Sequence, residues 1–146
     1  MQTTSWTILL SLNILWFGMG AFHFSWRSEA AARMLVPRDQ RASPLFHTLG
    51  GAIRFLGGLN LGFMVLCALL LLFAGLFPDR RQLALFAAAV AVAHASQFAV
   101  NIPMIGKRRR NEPGAWSVLE GSMLFIFATD CALMVANGAF AVWNAR

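Results

Sequence analysis

Residues 55–77 read FLGGLNLGFMVLCALLLLFAGLF, 23 residues without a charge and with one amide. At about 1.5 Å per residue, a helix of that length reaches roughly 34 Å, enough to cross a hydrocarbon core of about 30 Å. The apolar run begins earlier, at Leu45, and is longer than a bilayer needs. Its first turns, with His47, Gly50, Gly51 and Arg54, therefore belong at an interface.

Three further runs have the same character: residues 5–26, 83–105 and 116–142. The chain is 58% hydrophobic and 12% charged, against about 45 to 50% and 25% in soluble domains. These features predict one all-α domain, an integral membrane four-helix bundle, and exclude a soluble catalytic domain. The first run has no basic leader and no small-residue cleavage site, so it reads as a retained span. Trp6 and Trp26 bracket the first span and Trp116 and Trp143 the fourth, as interfacial aromatic belts do.

The net charge of +6 comes from 11 Arg and Lys107 against 6 acids. Arg27, Arg33, Arg38 and Arg41 fall in the first loop, and Lys107, Arg108, Arg109 and Arg110 in the third. The second loop and the tails hold only Arg80, Arg81 and Arg146. Short basic loops stay on the cytoplasmic side, which puts both termini on the non-cytoplasmic side, in a bacterial inner membrane. With a topological reason for the charge, nucleic acid is not an expected partner; membrane lipid is, through the basic loops.

Gly58 and Gly62 form a G-x-x-x-G pair, and Ala87, Ala91, Ala95 and Ala99 form a row of small residues. Both are expected to pack helices within the bundle, with a homodimer seam as the alternative. Cys67 and Cys131 lie in apolar runs without a C-x-x-C pair and read as buried thiols.

Ionisable groups inside a bilayer cost several kcal/mol and mark functional positions. Asp130 falls near the middle of the fourth span and His94 near the middle of the third, so the two share the midplane. His94, Gln97 and Asn101 occur at i, i+3 and i+7, on one helix face running toward the basic loops. Arg54 and Glu120 fall at similar depth and could pair. His23 and Asn60 could complete that layer, with Asn13 deeper. The expected ligand or proton site is thus Asp130, His94, Gln97, Asn101, Arg54, Glu120, Asn60 and His23.

Metalloprotease, nucleophile-elbow and phosphate-loop motifs are absent, and no metal site is expected. Haem is disfavoured, because His23 and His47 are the only histidines at matched depth and both lie near the interface. No cofactor can be named from these residues, and no catalytic residue.

The layout of a first span, an Arg-containing loop and a second span reading Gly50-Gly51-Ala52-Ile53-Arg54-Phe55-Leu56-Gly57-Gly58-Leu59-Asn60-Leu61-Gly62 resembles the small four-helix DoxX-like membrane proteins. The resemblance covers the second span and the layout. It implies an accessory membrane role linked to redox systems, and this chain lacks the Cys pair of the thiol variants.

The leading expectation is an accessory or binding protein, not a self-sufficient enzyme. Its polar intramembrane site would hold a lipid-soluble ligand such as a quinone, sterol-like or isoprenoid compound. The alternatives are a proton, ion or small-solute transporter or channel acting as a homo-oligomer, an intramembrane isomerase or oxidoreductase, and a structural subunit of a larger membrane complex. Asp130→Asn is expected to keep the fold and weaken ligand binding.

Overall fold

The computed structural model describes residues 2–146, which are all-helical where regular. Helices α1 (Gln2–Trp26), α3 (Pro44–Leu72), α4 (Arg80–Ala99) and α6 (Gly121–Asn144) are the long elements, with α2 (Ser28–Leu35) and α5 (Ile102–Arg109) beside them. Four segments are long and apolar enough to cross a membrane: Thr4–Trp26, Pro44–Leu72, Arg80–Arg109 and Gly121–Asn144.

The outside of the bundle is apolar. Leu15, Phe22, Phe55, Leu59, Leu72, Leu85, Val92 and Val135 are all exposed, while the buried centre contains Asn13, Asn60, His94, Asp130 and Asn137. That inversion of the usual soluble pattern fits a lipid surround, where apolar side chains lose nothing by facing out.

Local chemistry sets the ends of the helices. Ser43 caps α3 by accepting the Leu45 N–H at 3.3 Å, with Pro44 at the first position, where a missing N–H costs nothing. Asp79 caps α4 through the Arg81 N–H at 2.9 Å. The third span is broken at Val100 and Asn101, because Pro103 has no N–H to continue the ladder. The second helix ends at Leu72, short of the expected Phe77; residues 74–76 form a 3-10 turn. The last helix begins at Gly121, whose φ of +53° suits glycine, rather than at Trp116.

The first basic loop folds into α2, which packs on the early turns of α3 through Ala31, Ala32, Phe46 and Ile53. Gly50 leaves the room for Glu29 to approach. Glu29 then lies 3.5 Å from His47 and 3.9 Å from Arg33. These pairs are exposed, so their energies are small; the apolar contact anchors α2.

The long helices associate as two layers, α1 along α3 and α4 along α6, with fewer backbone contacts between the layers. Gly20 faces the Asn60 side chain and Gly57 faces Ser25, so backbones meet closely on the first seam. Gly58 and Gly62 meet nothing and point outward. This corrects the expectation that the G-x-x-x-G pair packs the bundle. The close approach falls one residue earlier in helical phase, at Gly57, which spacing alone does not reveal. On α4 the buried stripe is Ala84, Ala87, Val90 and His94, rather than the full alanine row.

Trp26 and Trp143 are outward, as a belt requires. Trp6 is instead buried and stacked on Phe140 with ring centres 4.9 Å apart. At the far end from the basic loops, Trp6, Leu9, Leu10, Phe17, Cys67, Leu70, Val90 and Ala141 form one packed cluster.

Candidate functional site

Side chains from α1, α4 and α6 meet at mid-depth and tie the two layers together. His94 Nδ1 lies 2.9 Å from Asp130 Oδ1, and His94 Nε2 lies 2.9 Å from Asn13 Oδ1. The Trp16 indole N–H donates to Asp130 Oδ1 at 2.8 Å. Phe17 stacks on the imidazole at 4.6 Å. His94 and Asp130 are both fully buried.

The proton count of this centre follows from its donors and acceptors. Asn13 Nδ2 donates to the Leu9 carbonyl and to Asn137 Oδ1, and Asn137 Nδ2 donates to the Leu133 carbonyl and to Asn13 Oδ1. Each amide is oriented by a carbonyl one turn back on its own helix, so Asn13 presents oxygen to His94. The imidazole must therefore carry its proton on Nε2. A second proton occupies the link between Nδ1 and Asp130 Oδ1, on either atom. In both cases the pair is neutral overall, which is how a carboxyl at mid-membrane depth avoids an uncompensated charge. Asp130 Oδ2 has no partner.

Beside this centre, on the side of the basic loops, a cavity of about 310 Å³ opens between the two layers. Trp16, Met19, Phe22, Phe24, Phe125 and Ile126 supply apolar and aromatic wall, and Asn60, Gln97, Ser122, His23 and Arg27 supply polar groups. Trp16 belongs to both parts, as wall of the cavity and as hydrogen-bond donor to Asp130. The His23 Nε2 atom is shielded from solvent and has no partner. The volume and the mixed lining match those of small-molecule pockets, which are mostly apolar with a few placed polar groups.

The expected site residues divide into two groups. Asp130 and His94 touch; Gln97, Asn60 and His23 line the adjoining cavity. Asn101 is buried but committed elsewhere: its Oδ1 accepts the Trp116 indole N–H at 2.9 Å, and its Nδ2 donates to the Gln97 carbonyl. That bond turns Trp116 inward and fastens the α5–α6 connection to the third span.

Arg54 and Glu120 do not form the expected ion pair. Arg54 Nε donates to Ser28 Oγ at 3.4 Å, and Arg54 borders a shallow hollow on the outer side of α3. Glu120 is exposed just before α6. Folding of the first loop into α2 places Ser28 near Arg54, an arrangement that span depth alone cannot register. Glu29 instead faces His47 at 3.5 Å, and Asp130 faces His94 at 2.9 Å. Outside the spans, the Arg110 hydrogen bond holds the Glu112 carboxyl below the usual range.

Trp16 and Asn137 are the members of the centre that sequence reasoning missed. Both carried a signal. A tryptophan in mid-span must place its N–H somewhere, and Asn137 falls seven residues after Asp130, on the same helix face. No group of three or more His, Cys, Asp or Glu side chains able to hold a metal occurs among the described residues. The three histidines are also separated in role, with His47 at the exposed α2–α3 contact and His94 engaged at both nitrogens.

Compared with models of protein families, with curated protein sequences and with solved structures, the chain matches none.

Proposed function

We propose that this protein is a small membrane accessory or binding protein that holds a lipid-soluble ligand in the cavity beside the His94 and Asp130 pair. The observation that carries the reading is the placement of an aromatic-walled hollow against the fully buried, hydrogen-bonded His94 and Asp130 pair, with Trp16 shared between them. An apolar molecule with a polar head, of quinone, sterol-like or isoprenoid type, would set its body on the Trp16, Met19 and Phe125 wall. Its head would meet Gln97, Asn60 and His23. This reading includes the orientation with both termini on the non-cytoplasmic side of a bacterial inner membrane, because the cavity then opens toward the cytoplasm. An accessory role of the DoxX-like kind accords with it.

Transport of protons or ions is the second reading, favoured by the hydrogen-bonded series Asn137, Asn13, His94, Asp130 and Trp16. The apolar cluster of Trp6, Leu10, Phe17, Cys67 and Val90 packed beyond the pair favours a binding site closed at one end. Proton flux in proteoliposomes separates the two.

The test of the binding reading is gentle extraction from native membranes, followed by native mass spectrometry and an absorption spectrum of the same sample. The wild-type chain should carry a small molecule, and Asp130→Asn should carry several-fold less while remaining folded. Asparagine cannot serve Trp16 and His94 as the carboxyl does, so one hydrogen bond is lost, at about 1 to 3 kcal/mol. Equal retention by the variant would count against a role for the pair.

A further inference from the structure

The ligand proposed above can be narrowed by the charge of the wall. Among the described residues Arg27 is the one Lys, Arg, Asp or Glu side chain that lines the cavity. Arg27 sits at the turn between α1 and α2, where the cavity reaches the basic end. The nearby acid, Glu29, is engaged with His47 and Arg33, and no ion pair of Arg27 occurs among the described residues. One turn deeper, His23 Nε2 is shielded and without a partner. An arginine that only snorkels to an interface needs no such hollow beneath it.

We infer that the cavity takes an acid-headed amphiphile, a monoanionic carboxylate or phosphate group on an apolar body, with its head on Arg27 and His23 and its body running inward to Trp16. Arginine suits this role because its planar fork matches carboxylate and phosphate oxygens, and the mostly apolar wall receives a single chain. The dimensions agree. From Arg27 to Trp16 the helix rises roughly 16 Å, about the length of a medium alkyl chain. A volume of about 310 Å³ stands at the lower end of the roughly 300 to 1,000 Å³ of small-molecule pockets. That is room for one chain or one ring system, not a whole phospholipid. This inference rests on the binding reading, and it adds the chemical class of the head. The acid has two sources, a free lipophilic acid or the headgroup of a bilayer lipid whose chain enters the cavity.

The test uses the full chain in phosphatidylcholine nanodiscs and two probes, ω-bromododecanoate and ω-bromododecanol, whose bromine quenches tryptophan at the far end of the chain. Quenching that disappears in Trp16→Phe reports a chain lodged in the cavity, and native mass spectrometry of the same discs counts the bound probe independently. The acid should give saturable, Trp16-dependent quenching, and Arg27→Gln should require about tenfold more acid. The alcohol should bind more weakly than the acid and be indifferent to Arg27→Gln. Arg27 is exposed and unpaired, so its replacement leaves the fold intact. Equal quenching by acid and alcohol, unchanged in Arg27→Gln, would overturn the acid-headed class while leaving the binding reading standing. No bound probe of either kind, by quenching or by mass, would overturn both. Adding phosphatidylglycerol to the discs distinguishes the sources. Competition with the bromoacid in the wild type but not in Arg27→Gln identifies a bilayer lipid, and no competition identifies a free acid.

Discussion

Replacing His94 with leucine is expected to destabilise the bundle by about 3 to 5 kcal/mol, the usual cost of removing one partner of a buried pair. Asp130 would lose the Nδ1 contact, and Asn13 would lose one of the two donors to its oxygen. Asp130→Leu should cost a similar amount, because the Trp16 indole N–H and His94 would both face an alkyl side chain. The double variant is the informative one. With both groups gone, no charge remains to be neutralised, and the Asn13–Asn137 pair still satisfies itself through its own two hydrogen bonds. Its cost should fall short of the sum of the single costs by about 1 to 3 kcal/mol, the coupling typical of residues in one network. Denaturation in mixed micelles measures all three. Additive costs would mean that the two side chains do not share a proton link.

The second large effect concerns the seam between α1 and α3. A Cβ at Gly57 would stand 2.8 Å from the Ser25 backbone nitrogen and 3.1 Å from the Phe24 carbonyl carbon, besides striking Ser25 Oγ. Backbone cannot give way as a flexible side chain can, so Gly57→Ala must push the helices apart. The expected cost is about 1 to 3 kcal/mol, as for other overpacked sites, and Gly57→Leu should fail to assemble. Gly58→Ala and Gly62→Ala add their methyl groups to open space and should lie within about 0.5 kcal/mol of the wild type. Gly20→Ala should fall between, because the obstacle is the Asn60 amide, a side chain that can turn only by surrendering its bond to the Leu56 carbonyl at 2.8 Å. A thermal shift series over these four positions distinguishes a seam at Gly57 from one at Gly58 and Gly62.

The contrast between neighbouring glycines shows where the sequence stops being legible. Long apolar runs of helical length determine four spans without reference to neighbours, and the depth of a residue follows from its place within its own span. The meeting of His94 with Asp130 could be anticipated for that reason, since each lies at the centre of its span. Rotation of one helix against another depends on packing, which no single span encodes. Hence Gly57 rather than Gly58 forms the seam, and Asn101 turns to Trp116. The Arg54 contact was hidden for a different reason: it requires α2, a short helix inside a loop whose charges suggested only topology. Trp16 and Asn137 were legible in principle, because polar groups in hydrocarbon must find partners. Their partners lie on other helices, so only the folded bundle names them.

The cavity and the buried pair as a single ligand site can be tested most directly by filling the cavity without touching the pair. Ser122 lines the hollow, is exposed, and precedes Asp130 by about two turns of α6. In native mass spectra of protein extracted under identical conditions, the wild-type chain should retain a bound small molecule. Ser122→Trp should be released bare while remaining folded, melting lower only by the stabilisation that the bound molecule gives the wild type. Equal retention of the same molecule by Ser122→Trp, or a bare wild-type chain from native membranes, would contradict a ligand site in this cavity.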